Sequence, residues 1–359
     1  MPQAFWRGLF VLSGGFTAYV VWLYPALLRL LAPRRAAPAP RTGPPPKVTV
    51  VVACFNEAGR VERKAADVLA ADYPKELLSL IFVDNSSTDG TPEALERLAA
   101  RLPLKVLRSP RGKINALNAA LKEADGDLVV CTDCDAWWEP SSLKTLVRAF
   151  EDPSVGAACG VPVIHRALFR SKEKFHAADF TVRRLEGELN ACTALDGRLM
   201  AFRRSALARF DESLGIDDMG LSHTLRLGGL RSVVVPAAVI HEECEGSVAA
   251  EFAQIRRHVH TVMVCVWAGR GVLFNPRFGW YGMLTLPSRR LFPLFVPAAL
   301  AALLVSAWNI HPRAAAAAGL AGLLLLTVDS FPALQAAAIV AAWGDFLSGR
   351  RGDVWSRGS

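Results

Sequence analysis

Two kinds of hydrophobic pattern divide this chain. The 21 residues from Gly8 to Leu28 carry no charge, and a helix of that length, rising 1.5 Å per residue, crosses a hydrocarbon core of about 30 Å. Leu291 to Ile310 is a second uncharged run, of 20 residues. Ala314 to Val328 and Ala333 to Gly344 are apolar again, with Asp329, Ser330 and Pro332 between them. That pattern fits one bent helix or two short ones. Tyr19, Trp22 and Tyr24 lie in the first run and Arg29, Arg34 and Arg35 follow it, which argues for a retained anchor rather than a cleaved signal peptide. The arginines place the following segment on the cytoplasmic side, with the N-terminus outside.

Between these runs the period shortens. Residues 33–46 (PRRAAPAPRTGPPP) hold six prolines and no apolar periodicity, so they read as a stiff linker. Lys47 to Ala53 (KVTVVVA) is a continuous β-branched run, as expected of a strand buried on both faces. Val61, Ala65, Val68 and Leu69 share a helix face, and Leu78 to Val83 is the next strand. Thr91 to Arg101 is helical, with Pro92 in its first turn. Leu104 to Leu107, Ile114 to Ala124 and Asp127 to Cys131 continue as strand, helix and strand. This alternation predicts an α/β domain with a mostly parallel, doubly wound sheet. The expected organisation is a membrane helix over 8–32, the linker over 33–46 and a cytosolic catalytic domain over 47–253. Interfacial helices over 254–290, two or three membrane helices over 291–348 and a basic cytosolic tail over 349–359 complete it.

Composition agrees with this division. Of 359 residues, 52% are hydrophobic and 21% charged, with a mean hydropathy of +0.26. That is too apolar for an ordinary soluble domain and too charged for a chain that is membrane throughout. The net charge of +8 suits phosphates or an anionic membrane surface and by itself names no partner. Seven cysteines at irregular spacing form neither a zinc pattern nor a disulfide framework.

In a doubly wound sheet, ligands bind beyond the carboxyl ends of the strands. Here those ends read CFNE (54–57), DNSSTDGT (84–91) and TDCD (132–135), so three acidic ends converge. No G-x-G-x-x-G follows the first strand, and Arg111-Gly112-Lys113-Ile114 lacks the P-loop Ser/Thr and upstream Gly. Asp133 and Asp135 flank Cys134. By strand alternation both carboxylates face one side, where they can share a hard divalent cation; a turn with two solvated aspartates is the alternative.

VTVVVACFNEAG, IFVDNSSTDGT, GKINALNAAL and VVCTDCDA, in this order, resemble the family 2 glycosyltransferases of the GT-A fold, from about Val48 to His258. The resemblance implies that Asn56, Glu57 and Asp84 hold the donor nucleoside, that Asp133 and Asp135 bind Mg²⁺ or Mn²⁺ with the diphosphate, and that Lys113 lies near the donor phosphates. LDGRLMAFRRSAL (195–207) resembles the family's acceptor-side strand and helix. IDDMGLSHTLRLGGLR (216–231) resembles its acidic motif, with Asp218 as general base beside Asp217. Two adjacent carboxylates also suit a helix N-terminus on physical grounds alone.

Gln254-Ile255-Arg256-Arg257-His258 stands where many membrane members carry Q-x-x-R-W. It keeps the Gln and Arg and has His for Trp, which implies single transfer rather than polymerisation. Arg256 and Arg257 are candidates to neutralise the departing diphosphate. The expectation is therefore an inverting enzyme that moves sugar from a nucleotide-diphosphate donor, uracil being the family default, to a lipid or lipid-linked glycan. It would act at the cytoplasmic face of a bacterial inner membrane, with membrane lipids as neighbours and no nucleic-acid partner. A processive synthase extruding a β-linked polymer is the alternative, and a non-catalytic nucleotide-sensing scaffold is the rival of another class.

Overall fold

The computed structural model describes residues 1–33, 43–165, 168–212, 217–243, 246–328 and 330–349. Most of the expected proline-rich linker and, beyond Gly349, the basic tail lie outside them. Helix α1 (Gln3–Leu31) is 29 residues long. It contains a wide π-type turn at Tyr19–Leu23, next to Pro25, which has no N–H to give the preceding turn.

The sheet has eight strands: β1 (Val48–Cys54), β2 (Leu78–Asp84), β3 (Lys105–Arg108), β4 (Leu128–Asp133), β5 (Ala136–Trp138), β6 (Val155–His165), β7 (Leu199–Arg203) and β8 (Arg231–Glu243), in the order β3-β2-β1-β4-β7-β6-β8-β5. Helices α2 (Val61–Leu69), α3 (Thr91–Ala99), α4 (Lys113–Glu123), α5 (Ser142–Arg148), α6 (Arg170–Glu188), α7 (Asp217–Leu227) and α8 (Val248–Ala268) surround it. The alternating strands and helices up to residue 133 pair in parallel, as the pattern predicts. The second half is mixed: β7 inserts antiparallel between β4 and β6, and β5 pairs antiparallel with β8. The α/β expectation holds, with the parallel character confined to β1–β4 and the β6–β8 pair.

Strand alternation explains the uninterrupted apolar run of β1. Val48, Val50, Val52 and Cys54 enter one buried cluster, while Val51 and Ala53 enter the cluster on the opposite face. With both faces covered, no position is left for an exposed polar residue. Thr49 is tolerated because its hydroxyl shares a 2.9 Å hydrogen bond with Ser79.

The C-terminal part begins with α9 (Tyr281–Ile310), 30 residues long. Its start is pressed into the loop before it, where a Cβ on Gly282 would lie 2.6 Å from the carbonyl oxygens of Val272 and Asn275, so only glycine fits. α9 runs antiparallel to α1: Gln3 Nε2 donates to Asn309 O at 3.2 Å at one end, and the Tyr19 and Ser288 hydroxyls are 2.7 Å apart at the other. Both helices are long and apolar enough to cross a membrane. The apolar stretch beyond them is two helices, α10 (Pro312–Val328) and α11 (Phe331–Leu347). α11 packs along α8. One of its ends meets Phe169 and Phe175 through Phe331, and the other is fixed by Asp345 on Arg256. α8 is one helix running through residues 253 and 254, and in the 276–290 stretch Tyr281, Thr285, Ser288 and Arg290 are buried.

Candidate active site

Parallel register brings the first two acidic ends level: Cys54 stands opposite Asp84, and Ala53 opposite Asp133. The loops that follow β1 and β2 are stitched together. Asn56 Oδ1 accepts from Thr88 N at 2.9 Å, Asn56 N donates to Ser87 Oγ at 3.1 Å, and Glu57 N donates to Thr91 Oγ1 at 2.8 Å. Asn56 and Ser86 turn these loops in the left-handed region, with φ of 56° and 58°, strain of the kind that clusters at ligand sites. Asp84 is buried and accepts from Ser87 N at 3.2 Å. Glu57 is buried and pairs with Arg60 at 3.0 Å. These bonds tie the two loops into one rim.

Asp133, the last residue of β4, and Asp135, in the turn that follows, are half-buried while Cys134 between them is buried. Lys113, the first residue of α4, places Nζ 2.9 Å from Asp133 Oδ1. The ammonium partly neutralises this carboxylate and would compete with a metal for it, while the oxygen donors of Asp133 and Asp135 are of the kind that suits a hard divalent ion such as Mg²⁺ or Mn²⁺. Among the described residues no three His, Cys, Asp or Glu converge as a ready-made metal cage, so an ion held here would need water or phosphate oxygens to complete its shell.

Beside Asp133 lies an ion cluster that sequence reasoning left unassigned. Thr132 Oγ1 donates to Arg198 O at 2.7 Å, anchoring the DGR turn that opens β7. Arg198 forks onto Asp196, with Nε to Oδ1 at 2.8 Å and Nη2 to Oδ2 at 2.7 Å, and also reaches Glu242. Burial opposes ionisation of Asp196, but the Arg198 guanidinium outweighs it and holds the carboxyl well below the usual range. The quoted DGR triplet was the only signal, and nothing local told its Asp from a turn residue.

Asp218 lies in the first turn of α7, where its Oδ1 accepts from Met219 N at 2.6 Å; the side chain of Asp217 lies outside what is described. Met219 packs with Ala191, Ala194, Val262, Cys265 and Tyr281. This cluster sets the α7 start against the 191–196 segment, α8 and the beginning of α9. Arg290 of α9 lies within Coulombic reach of both Asp218 and His258. His258 is exposed. The protein packed around it, with the guanidinium groups of Arg290, Arg183 and Arg257, lowers its pKa to about 4, so at neutral pH it is an uncharged imidazole. Gln254 is exposed. Arg256 faces elsewhere: its guanidinium is bidentate on Asp345, at 2.6 and 2.5 Å. The structure brings Arg257 and His258 toward the cationic cluster and spends Arg256 on tying α8 to α11.

A mixed sheet with acidic loops at the carboxyl ends of β1, β2 and β4 defines a GT-A fold. Residues 49–210 match the sequence model of Glycosyl transferase family 2, and the chain carries a domain of that family. It is 27% identical to the poly-beta-1,6-N-acetyl-D-glucosamine synthase of Staphylococcus aureus over 202 residues, 54% of this chain and 48% of the relative. It is 32% identical to the beta-monoglucosyldiacylglycerol synthase of Synechocystis over 156 residues, 39% of this chain and 33% of the relative. The chain thus spans about half the length, or less, of these curated relatives. Among solved structures, the mannosyltransferase PcManGT of Pyrobaculum calidifontis, in complex with GDP-Man and Mn²⁺, superposes with a TM-score of 0.78 at 27% identity. That match covers 98% of this chain and all of the other.

Proposed function

We propose that this protein transfers a single sugar, with inversion, from a nucleotide-diphosphate sugar to a hydroxyl of a lipid-linked acceptor at the cytoplasmic face of a membrane. The observation that carries the reading is the register that puts Asp84 and Asp133 on the ends of β2 and β4, one on each side of β1, with Lys113 clasping Asp133. That is a layout for a nucleoside on one side and a metal-bound diphosphate on the other. Asp133 and Asp135 would hold the cation, which when bound supplies charge neutralisation to the leaving diphosphate. Asn56, Glu57 and Asp84 shape the nucleoside side. Lys113 and Arg257 add positive charge where the diphosphate departs. Asp218, its carboxylate oriented by the Met219 N–H, takes the proton of the acceptor hydroxyl as that oxygen attacks the anomeric carbon from the face opposite the leaving group.

Inversion is supported by the names of both curated relatives, which describe β-linked products. The sequence resemblance favours uracil as the base. The structural relative that spans the whole chain was solved with GDP-Man, so GDP-mannose is the first donor to test, with UDP-sugars beside it. The polysaccharide synthase among the relatives keeps the processive reading as the second. Purified full-length protein, Mn²⁺, membrane lipid extract and a panel of labelled nucleotide sugars decide between them. Release of nucleoside diphosphate with label in a discrete lipid product supports single transfer, a ladder of long polymer supports the processive synthase, and no release with any donor refutes both.

A further inference from the structure

Among the described residues, one buried arginine has no carboxylate within ion-pairing distance, although Glu186 and Asp218 lie within Coulombic reach of it. Arg183 pairs with Asp179 at 2.5 Å, Arg289 with Asp179 and Glu186, and Arg198 with Asp196 and Glu242. Arg290, in the same cluster and only 6% exposed, donates through Nε to Thr193 Oγ1 at 3.0 Å. Its Nη2 has no hydrogen-bond partner, and among the described residues no carboxylate lies within ion-pairing distance of it. A buried guanidinium nitrogen left without an acceptor is costly, so the position favours one more acceptor there, an anion above all.

An apolar groove begins one helical turn further along α9. It has a volume of about 280 Å³ and is lined by Leu294, Phe295 and Ala298 of α9 and Ile339, Val340 and Trp343 of α11. Leu294 packs on Met263 of α8, with Val259 alongside, so the groove floor reaches the neighbour of His258. Four residues of helix separate charge from groove by about 6 Å. A phosphate followed by a single hydrocarbon chain matches this head-and-tail layout, whereas a free nucleotide would use the charge alone.

We propose that the cleft between α8, α9 and α11 binds a single-chain lipid phosphate, the carrier of the acceptor, with Arg290 on the phosphate and the chain in the Leu294–Trp343 groove. This rests on the glycosyl-transfer reading and names its acceptor class. The test uses full-length protein in detergent with phytanyl phosphate, phytanol, phosphatidylglycerol and, for the donor side, GDP with Mn²⁺. Phytanyl phosphate should bind at least tenfold tighter than phytanol. Arg290→Gln should erase that difference and Arg290→Lys should retain part of it. Val340→Trp, at a site 60% exposed and so tolerant of bulk, should weaken phytanyl phosphate at least tenfold and leave GDP unchanged.

Equal binding of phosphate and alcohol by the wild type overturns the proposal. So does a loss of GDP binding in Arg290→Gln as large as the loss of phytanyl phosphate, since the guanidinium would then serve the donor. Displacement by phosphatidylglycerol at equal concentration also overturns it, as a general lipid contact. The wild-type comparison and Val340→Trp decide the matter if Arg290→Gln does not fold. Failure of every donor to release its nucleotide would refute glycosyl transfer while leaving these binding results readable.

Discussion

Lys113 Nζ stands 2.9 Å from Asp133 Oδ1, so the carboxylate proposed to face a metal already pairs with a cation of the chain itself. Replacing Lys113 with Ala frees Asp133 for the ion while removing a charge from the phosphate side. In a half-exposed pair such an interaction is worth up to about 1 kcal/mol, or about fivefold in affinity. Calorimetry should find Mn²⁺ alone binding Lys113→Ala slightly more tightly than wild type, and the nucleoside diphosphate with Mn²⁺ binding more weakly. Weaker binding of both would mean that Lys113 only supports the fold.

The role proposed for Asp218 separates binding from chemistry. General-base assistance is worth roughly 10²- to 10⁴-fold, so Asp218→Asn should lose about that factor in turnover and keep the donor Kd. Asp135→Ala should instead lose metal-dependent donor binding. A turnover measurement showing Asp218→Asn as active as wild type would remove the base.

Arg256 and Arg257 are neighbours with different work. Arg256 is held by Asp345, and a pair this exposed contributes about 1 kcal/mol or less. Arg256→Ala should lower the melting temperature by a few degrees and leave the donor KM alone. Arg257→Ala should raise the donor KM or depress kcat with little effect on melting. The reverse pattern would reassign the diphosphate role to Arg256.

Tyr24 joins the first membrane-length helix to the catalytic domain: its hydroxyl donates to Glu186 Oε1 at 2.7 Å, and Glu186 Oε2 accepts from Thr193 N and Oγ1 at 3.1 and 2.9 Å. Hydrogen bonds to charged groups contribute about 1.5–3 kcal/mol, so Tyr24→Phe should destabilise by that order in thermal unfolding. Truncating Glu186 to Ala leaves Arg289 and Arg290 short of a buried carboxylate and should cost about 3–5 kcal/mol. An unchanged melting temperature in Tyr24→Phe would show that this junction is mechanically idle.

Acid sensitivity follows from two histidines. Burial, then Arg198 and Lys172, lowers His176 to about 4, and the protein packed around His258, with Arg290, Arg183 and Arg257, does the same there, from an ordinary value of 6.5. The unfolded chain therefore binds more protons than the folded one between pH 6.5 and about 4, and stability falls as pH drops through that window. Melting curves should show this slope, and His176→Gln should flatten part of it. A slope identical to wild type in that variant would contradict the lowered value.

The strands and the helices between them up to residue 133, the two long apolar helices and the acidic strand ends are all legible in the amino-acid order. Each of these is written in local patterning: β1 is apolar throughout because both its faces are covered, and Asp133 closes β4 because the apolar run before it is the strand. Only the tertiary structure decided that β7 enters antiparallel, that α11 lies along α8, and that Arg256 serves a helix contact while Arg290, outside the motifs, stands near Asp218. Those outcomes depend on which distant side chain neutralises which charge. Arg256 and Arg257 are identical as letters, and the helical rotation of about 100° between them points one at Asp345 and the other toward the cleft.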